Sequence, residues 1–143
     1  STIVAADKGR LWISTDAGTS WRRSRDVDAV SLTLDSHDLW LTGARGLQRA
    51  RADATQVEPI PDAPGLYRGG LGADGSVWGI EQDGDVWLRD DHGRWREVYR
   101  LPAGTVVTAF TPVDASRAVV ATDRALEWIT VNDRDRLPML AFA

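Results

Sequence analysis

The sequence predicts an all-β protein made of repeated small antiparallel sheets, and three registers within its 143 residues predict it. The first is carried by Trp12, Gln48, Trp87 and Trp128, which follow one another at steps of 36, 39 and 41 residues, each two residues before a polar octet. The second is carried by Ile3, Trp40, Trp78 and Val119, each six residues before a turn position held by Gly9, Gly46, Gly84 and Ala125. The third is carried by Asp35, Asp74 and Asp114, spaced 39 and 40 apart and each followed by a small residue, as in a strand-to-strand turn. Between these marks the apolar residues alternate with period two, as in Val30, Leu32 and Leu34 or Val106, Thr108 and Phe110. No window of 11 residues carries a helical period.

A period near 40 residues with about four short strands per repeat is that of a propeller blade. The first blade, residues 1–26, holds strands at 2–6, 10–14 and 20–24 and no innermost strand. The second, 27–62, holds 29–34, 38–43, 46–50 and 56–60. The third, 63–102, holds 66–71, 76–81, 85–89 and 94–100, and the fourth, 103–143, holds 105–111, 117–122, 125–130 and 136–141. Pro59, Pro61, Pro64, Pro102 and Pro112 punctuate the connections, and Pro138 suits only an edge strand. The sum is fifteen strands, about 3.75 four-stranded blades, in one domain spanning 1–143.

Composition narrows the function classes. Hydrophobic content of 43% and charged content of 27% belong to a folded globular chain. A net charge of -4 does not favour nucleic acid or an anionic membrane surface as partner. No apolar run approaches the roughly 20 residues of a membrane span, and no signal peptide is expected in these residues. Ser1 fits a mature secreted chain, Met removal and trimming alike; an extracytoplasmic or secreted protein is favoured. Cysteine is absent, so there is no disulfide, thiolate nucleophile or Cys-based metal site. His37 and His92 fall in turns without metal-ligand spacing, so we expect no metal and no cofactor.

The octet Ser14-Thr15-Asp16-Ala17-Gly18-Thr19-Ser20-Trp21 has the chemistry of a self-sealed hairpin turn. Ser14, Asp16 and Ser20 can hydrogen-bond backbone groups within a tight turn. Gly18 can take positive φ without a Cβ penalty, and Trp21 is expected to fold back as a buried apolar plug. Later octets keep less: Arg89–Trp95, one residue shorter, retains Asp91, Gly93 and Trp95. Thr130–Leu137 retains Thr130 and Asn132, and Ala50–Val57 almost nothing. The pattern resembles the Asp-box (BNR) repeat of sialidase-like, sortilin-like and photosystem-assembly-factor-like β-propellers. The resemblance implies a structural role for these turns, on the face opposite the usual ligand site.

Closed rings of such repeats usually have six to ten blades, and this chain supplies just under four. An open arc would bare an apolar face at each end, and covering a few hundred Å² per face at ~25 cal/mol per Å² is worth on the order of 10 kcal/mol in total. We therefore expect those faces to be buried by a homodimer, by a partner chain or in a contracted four-blade ring; the chain being a piece of a longer propeller is a further route. The homodimer is the first expectation.

By the same resemblance, the ligand face would carry Asp7, Lys8 and Arg10 from blade one and Arg45 from blade two. Tyr67, Arg68, Glu81, Asp83 and Asp85 would come from blade three, and Asp123 and Arg124 from blade four. A sialidase-like site would need three arginines gripping a carboxylate, a Tyr–Glu nucleophile pair and an acid Asp. Arg45, Arg68, Arg124, Tyr67 and Glu81 match those residue types, but the Arg-Ile-Pro type motif is absent. Asp83-Gly84-Asp85 and Asp90-Asp91 lack the oxygen spacing of a calcium loop. The expected function is a non-catalytic binding or scaffold module for a protein partner or a glycan. The alternative is a fragment or subunit of a sialidase-like glycoside hydrolase.

Overall fold

A computed structural model of the protein describes residues 1–7, 9–27, 29, 31–34, 38–51, 56–131 and 137–141. Lys8, Val30, Asp35, His37 and Asn132, with half of the second octet and most of the fourth, lie outside the described residues.

Among the described residues, fifteen strands form four antiparallel meanders. The first sheet holds β1 (Ile3–Asp7), β2 (Arg10–Ser14) and β3 (Arg22–Asp26), and the second β4 (Ser31–Leu34), β5 (Asp38–Gly43), β6 (Gly46–Arg51) and β7 (Val57–Pro59). The third holds β8 (Leu66–Leu71), β9 (Val77–Glu81), β10 (Asp85–Arg89) and β11 (Trp95–Arg100). The fourth holds β12 (Val107–Asp114), β13 (Arg117–Thr122), β14 (Ala125–Thr130) and β15 (Leu137–Ala141). The all-β, blade-by-blade architecture read from the repeat is therefore present, with the first sheet one strand short and the ring open.

Each central hairpin closes through its own turn chemistry. Gly9, Gly46 and Gly84 adopt φ of +76°, +74° and +101°, the left-handed region that glycine enters without strain. The fourth sheet has Ala125 at this place, and the Thr122 hydroxyl substitutes. It accepts the amides of Arg124 and Ala125 at 3.1 and 3.0 Å and donates to the Ala125 carbonyl at 3.1 Å.

The sheets stack by their inner strands, with β8 packed between β4 and β12. Side chains would keep the strands apart here, and the sequence supplies Gly69 and Gly70. A Cβ on Gly70 would stand 2.8 Å from Thr33 Oγ1 and 3.5 Å from Pro112 Cδ; one on Gly69 would stand 2.6 Å from the Trp78 carbonyl oxygen. Ser31 donates to the carbonyl of Gly69 at 2.5 Å, tying the second sheet to the third. Pro112 lies inside β12 and not in the connection expected from sequence. The innermost strand has a free edge, so a missing N–H costs no ladder bond.

Three apolar cores lie between successive sheets. Val4, Leu11 and Ile13 of the first face Leu39, Leu41 and Ala50 of the second. Trp40 and Leu47 of the second face Leu66 and Val77 of the third, with Trp87 and Trp95 packed alongside. Trp78, Ile80, Val86 and Leu88 of the third face Ala118, Val120 and Ile129 of the fourth. Polar bonds seal the third joint: Trp78 Nε1 donates to the Asp114 carbonyl at 3.0 Å, and Asp74 Oδ2 accepts the Ala115 amide at 2.8 Å.

Burial follows from this stacking. Leu39–Gly43 and Val77–Ile80, flanked on both sides, are buried throughout. In β13 and β14 burial alternates. Ala118, Val120 and Ile129 are buried against the third sheet, while Val119, Ala121, Leu126 and Trp128 on the other face are half-buried.

The ladder also corrects two of the sequence registers. Counting pairs from the hairpin, Val4↔Ile13 and Trp40↔Arg49 are both fourth, so Val4 and not Ile3 is the counterpart of Trp40. Trp12, opposite Ala5, is the third residue of β2, whereas Trp128, opposite Val119, is the fourth of β14. Glu127 holds the place assigned to Trp128. A slip of one residue turns a side chain to the opposite face. Trp12 thus faces backward from the first sheet, and Trp128 forward from the last.

Candidate functional site

The octet turn of the first sheet is built on Asp16. Its Oδ1 accepts the Ser14 hydroxyl at 2.8 Å and the Ser20 amide at 2.9 Å, and its Oδ2 accepts the Ser20 hydroxyl at 2.6 Å. Ser14 Oγ accepts the Gly18 amide at 2.8 Å, with Gly18 at φ +91°. These donors, the Ser20 hydroxyl first, hold the Asp16 carboxyl down at about 2.

Trp21 is not the buried plug that the sequence suggests. It is 44% exposed and donates its Nε1 to the Gly18 carbonyl at 3.1 Å, capping the turn from outside. The reason is positional: the first sheet has no neighbour on its rear side among the described residues. Trp95, from an octet that keeps fewer of the key residues, packs against the core between the second and third sheets.

In the third sheet the turn is braced by Asp90, not by Asp91. Asp90 Oδ1 accepts the amides of His92 and Arg94 at 2.9 Å each, and Oδ2 accepts Arg94 Nε at 2.8 Å. The loop between the last paired residues runs 14–21 in the first sheet and only 90–94 in the third, and in this shorter loop the bracing carboxylate stands one place earlier. Asp91 is exposed. Gly93 has φ +79°, and Arg89, which replaces the leading hydroxyl, donates from Nε to the Gly93 carbonyl at 3.3 Å. Thr130 ends β14 opposite Arg117, and Asn132 lies outside the described residues.

On the opposite end of the sheets, the residues proposed for a ligand face separate into groups. Tyr67 and Glu81 line one cleft of about 200 Å³ with Gln82, Thr105, Val106 and Val107. The Arg68 guanidinium lies over the Tyr67 ring, 5.2 Å from its centroid. The Arg68 Nε is buried without a hydrogen-bond partner among the described residues. Asp123 accepts the Val106 amide at 3.1 Å and stands 3.8 Å from Arg124, which is exposed. Arg45 is exposed in the β5–β6 turn, and among the described residues no hydrogen bond or ion pair joins it to Arg68 or Arg124.

Glu81 works as a brace. Its Oε1 accepts the Gly65 amide at 2.9 Å and its Oε2 the Trp87 indole N–H at 3.2 Å, so both oxygens hold the entry to the third sheet. Glu81, Asp83 and Asp85 carry carboxylate oxygens within 4.8 Å of one another. Asp85 is already paired with Arg100 at 2.6 Å, and burial pushes its carboxyl above the ordinary value against the pull of that guanidinium. Arg100 escapes sequence reasoning because it lies 15 residues from its partner, on β11.

No family model matches the chain, and no curated protein does. Solved structures do. A structure of YCF48 bound to a D1 peptide superposes with a TM-score of 0.65 at 15% identity, over 90% of this chain and 47% of that one. Virginiamycin B lyase from Staphylococcus aureus superposes at 0.61 with 20% identity, over 94% of this chain and 53% of that one. The fold is a β-propeller's. The extracellular domain of a putative hybrid two-component system from B. thetaiotaomicron agrees, at 0.62 and 16% identity, over 99% of this chain and 22% of that one. The chain thus spans about half the length of the first of these propellers and about a fifth of the last. No helix among the described residues is long and apolar enough to cross a membrane.

Proposed function

We propose that this chain is a non-catalytic binding and scaffold module of the Asp-box propeller kind, whose open ends are completed by another polypeptide. Its upper face presents a surface to a protein partner or a glycan. The observation that carries this reading is Glu81. A sialidase-like site would need that carboxylate free beside Tyr67, and here the backbone of Gly65 and the indole of Trp87 engage both oxygens. Of the arginines that would grip a substrate carboxylate, Arg45 and Arg124 lie on separate turns and Arg68 within β8, whereas bidentate recognition requires convergence. The YCF48 propeller with its bound peptide supports a peptide as the class of partner.

The glycosidase reading rests on one feature, the sharing of a cleft by Tyr67 and Glu81. A screen on sialosides and aryl glycosides, together with a peptide array, separates the two. The scaffold reading expects no turnover and peptide signals that fall in Tyr67→Ala and Arg68→Ala. Turnover that disappears in Glu81→Gln would overturn it.

A further inference from the structure

A second cleft lies over the outer strands of the third sheet, apart from the one that holds Tyr67. Its volume is about 580 Å³, within the range that holds a small ligand. Asp62, Ala63 and Pro64 of the β7–β8 connection line it with Trp87 of β10, Arg94 of the octet turn and Trp95 of β11. Trp87 pairs with Glu97 and Trp95 with Arg89, so the two indoles stand on one face of the β10–β11 ladder. Both rings are half-buried, as are Ala63 and Pro64.

The walls are held in place by bonds of their own. Glu81 accepts the Trp87 indole N–H at 3.2 Å and the Gly65 amide at 2.9 Å, and the Leu66 amide donates to the Pro64 carbonyl at 2.7 Å. Arg94 Nε donates to Asp90 at 2.8 Å, and its two amino groups make no hydrogen bond among the described residues. Asp62 is exposed and has a φ of +58°, in a turn after Pro61 where glycine is the usual residue. The turn thus keeps a carboxylate at a backbone cost, and among the described residues no hydrogen bond or ion pair engages it.

These groups discriminate between ligands. The Trp87 N–H is taken by Glu81, and the Trp95 N–H is buried without a partner among the described residues. The two rings therefore offer the cleft apolar surface and no donor. A polyproline segment has carbonyls that need donors beside the rings it docks on. A sugar ring needs no indole N–H, because its C–H groups stack on the negative face of the π-system. Its hydroxyls both donate and accept, which suits a carboxylate that only accepts and a guanidinium that only donates. Asp90 already neutralises Arg94 while Asp62 stands unpaired, so the charge disfavours an acidic sugar. We infer that this cleft binds a neutral saccharide, stacked on Trp87 and Trp95 and hydrogen-bonded by Asp62 and Arg94.

Isothermal titration calorimetry on the 143-residue chain tests it, with cellotetraose, maltotetraose and mannotetraose as neutral probes. Sialyllactose and a proline decapeptide represent the competing ligand classes. At least one neutral probe is expected to bind, and Asp62→Gly and Arg94→Met should each weaken it roughly three- to tenfold, the range of one lost hydrogen bond. Asp62→Gly also relieves the positive φ, so its melting temperature should equal or exceed that of the wild type. Weaker binding in an equally stable variant separates a lost contact from lost structure. Asp91→Ala removes the same charge at an exposed position outside the cleft and should bind as the wild type does. The inference is overturned if no neutral probe binds, if sialyllactose or the proline peptide binds more tightly, or if both cleft variants bind unchanged.

Discussion

Trp128 lies directly opposite Val119 across the β13–β14 ladder, on the face of the last sheet that no other sheet covers among the described residues. In the third sheet the corresponding pair is Trp78 with Leu88, and there the indole is fully buried. The same ladder position thus carries an apolar pair in both sheets, and only its surroundings differ. Arg117 partly compensates at the free face by laying its guanidinium over the indole.

The two tryptophans of the octets should differ in the opposite sense from their sequence context. Trp95→Ala removes a ring packed on the core between the second and third sheets and should cost about 2–4 kcal/mol, toward the lower end of core large-to-small changes. Trp21→Ala removes a ring that is 44% exposed and should cost about 1 kcal/mol, mostly one hydrogen bond and its contact. Urea unfolding of both variants gives the comparison. A larger loss for Trp21→Ala would mean its ring is covered in solution.

Acid should loosen the first sheet in a defined window. The folded carboxyl of Asp16 sits at about 2, below its ordinary 3.8, so the stability it contributes is fully present above that ordinary value. It is lost as pH falls from 3.8 toward 2. Asp114 acts in the same direction, held well down first by the Arg117 guanidinium and then by Ser116. Melting temperatures across this window should fall less steeply for Asp16→Asn than for the wild type. Parallel curves would contradict the assigned hydrogen bonds.

The two neighbouring carboxylates of the third octet provide a local test. Asp90→Ala should lower the melting temperature, because the amides of His92 and Arg94 lose their acceptor. Asp91→Ala, at an exposed position, should leave it unchanged. The reverse order would mean that the carboxylates exchange roles.

Among the glycines, Gly69→Ala should destabilise by roughly 1–3 kcal/mol as an overpacking change, because the new methyl meets the fixed carbonyl of Trp78. Gly75→Ala meets nothing within 4 Å, and only its φ of +82° opposes the change, by about 1 kcal/mol. Thermal unfolding of the pair distinguishes crowding near the propeller axis from simple backbone strain. Equal losses would remove the crowding argument.

Much of the architecture was legible because a repeat leaves its turn residues in register. Gly9, Gly46 and Gly84 mark the central hairpins, and positive φ at each explains why glycine recurs there. Ladder register was less legible. Gly9 precedes β2 whereas Ala125 opens β14, which shifts the count by one, and one residue decides which face Trp12 or Trp128 occupies. The octets misled for a related reason: the shortened loop at Arg89–Trp95 hands the bracing role to Asp90. The engagement of Glu81 was not legible. Its partners Gly65 and Trp87 lie on different strand entries, and only folding brings them together.

Small-angle X-ray scattering of the 143-residue chain tests the central claim most directly, because it reads mass and shape at once. An arc of four radially stacked sheets predicts a curved, elongated particle whose maximum dimension exceeds that of a compact globule of the same mass. The pair-distance distribution of a compact globule would contradict the account.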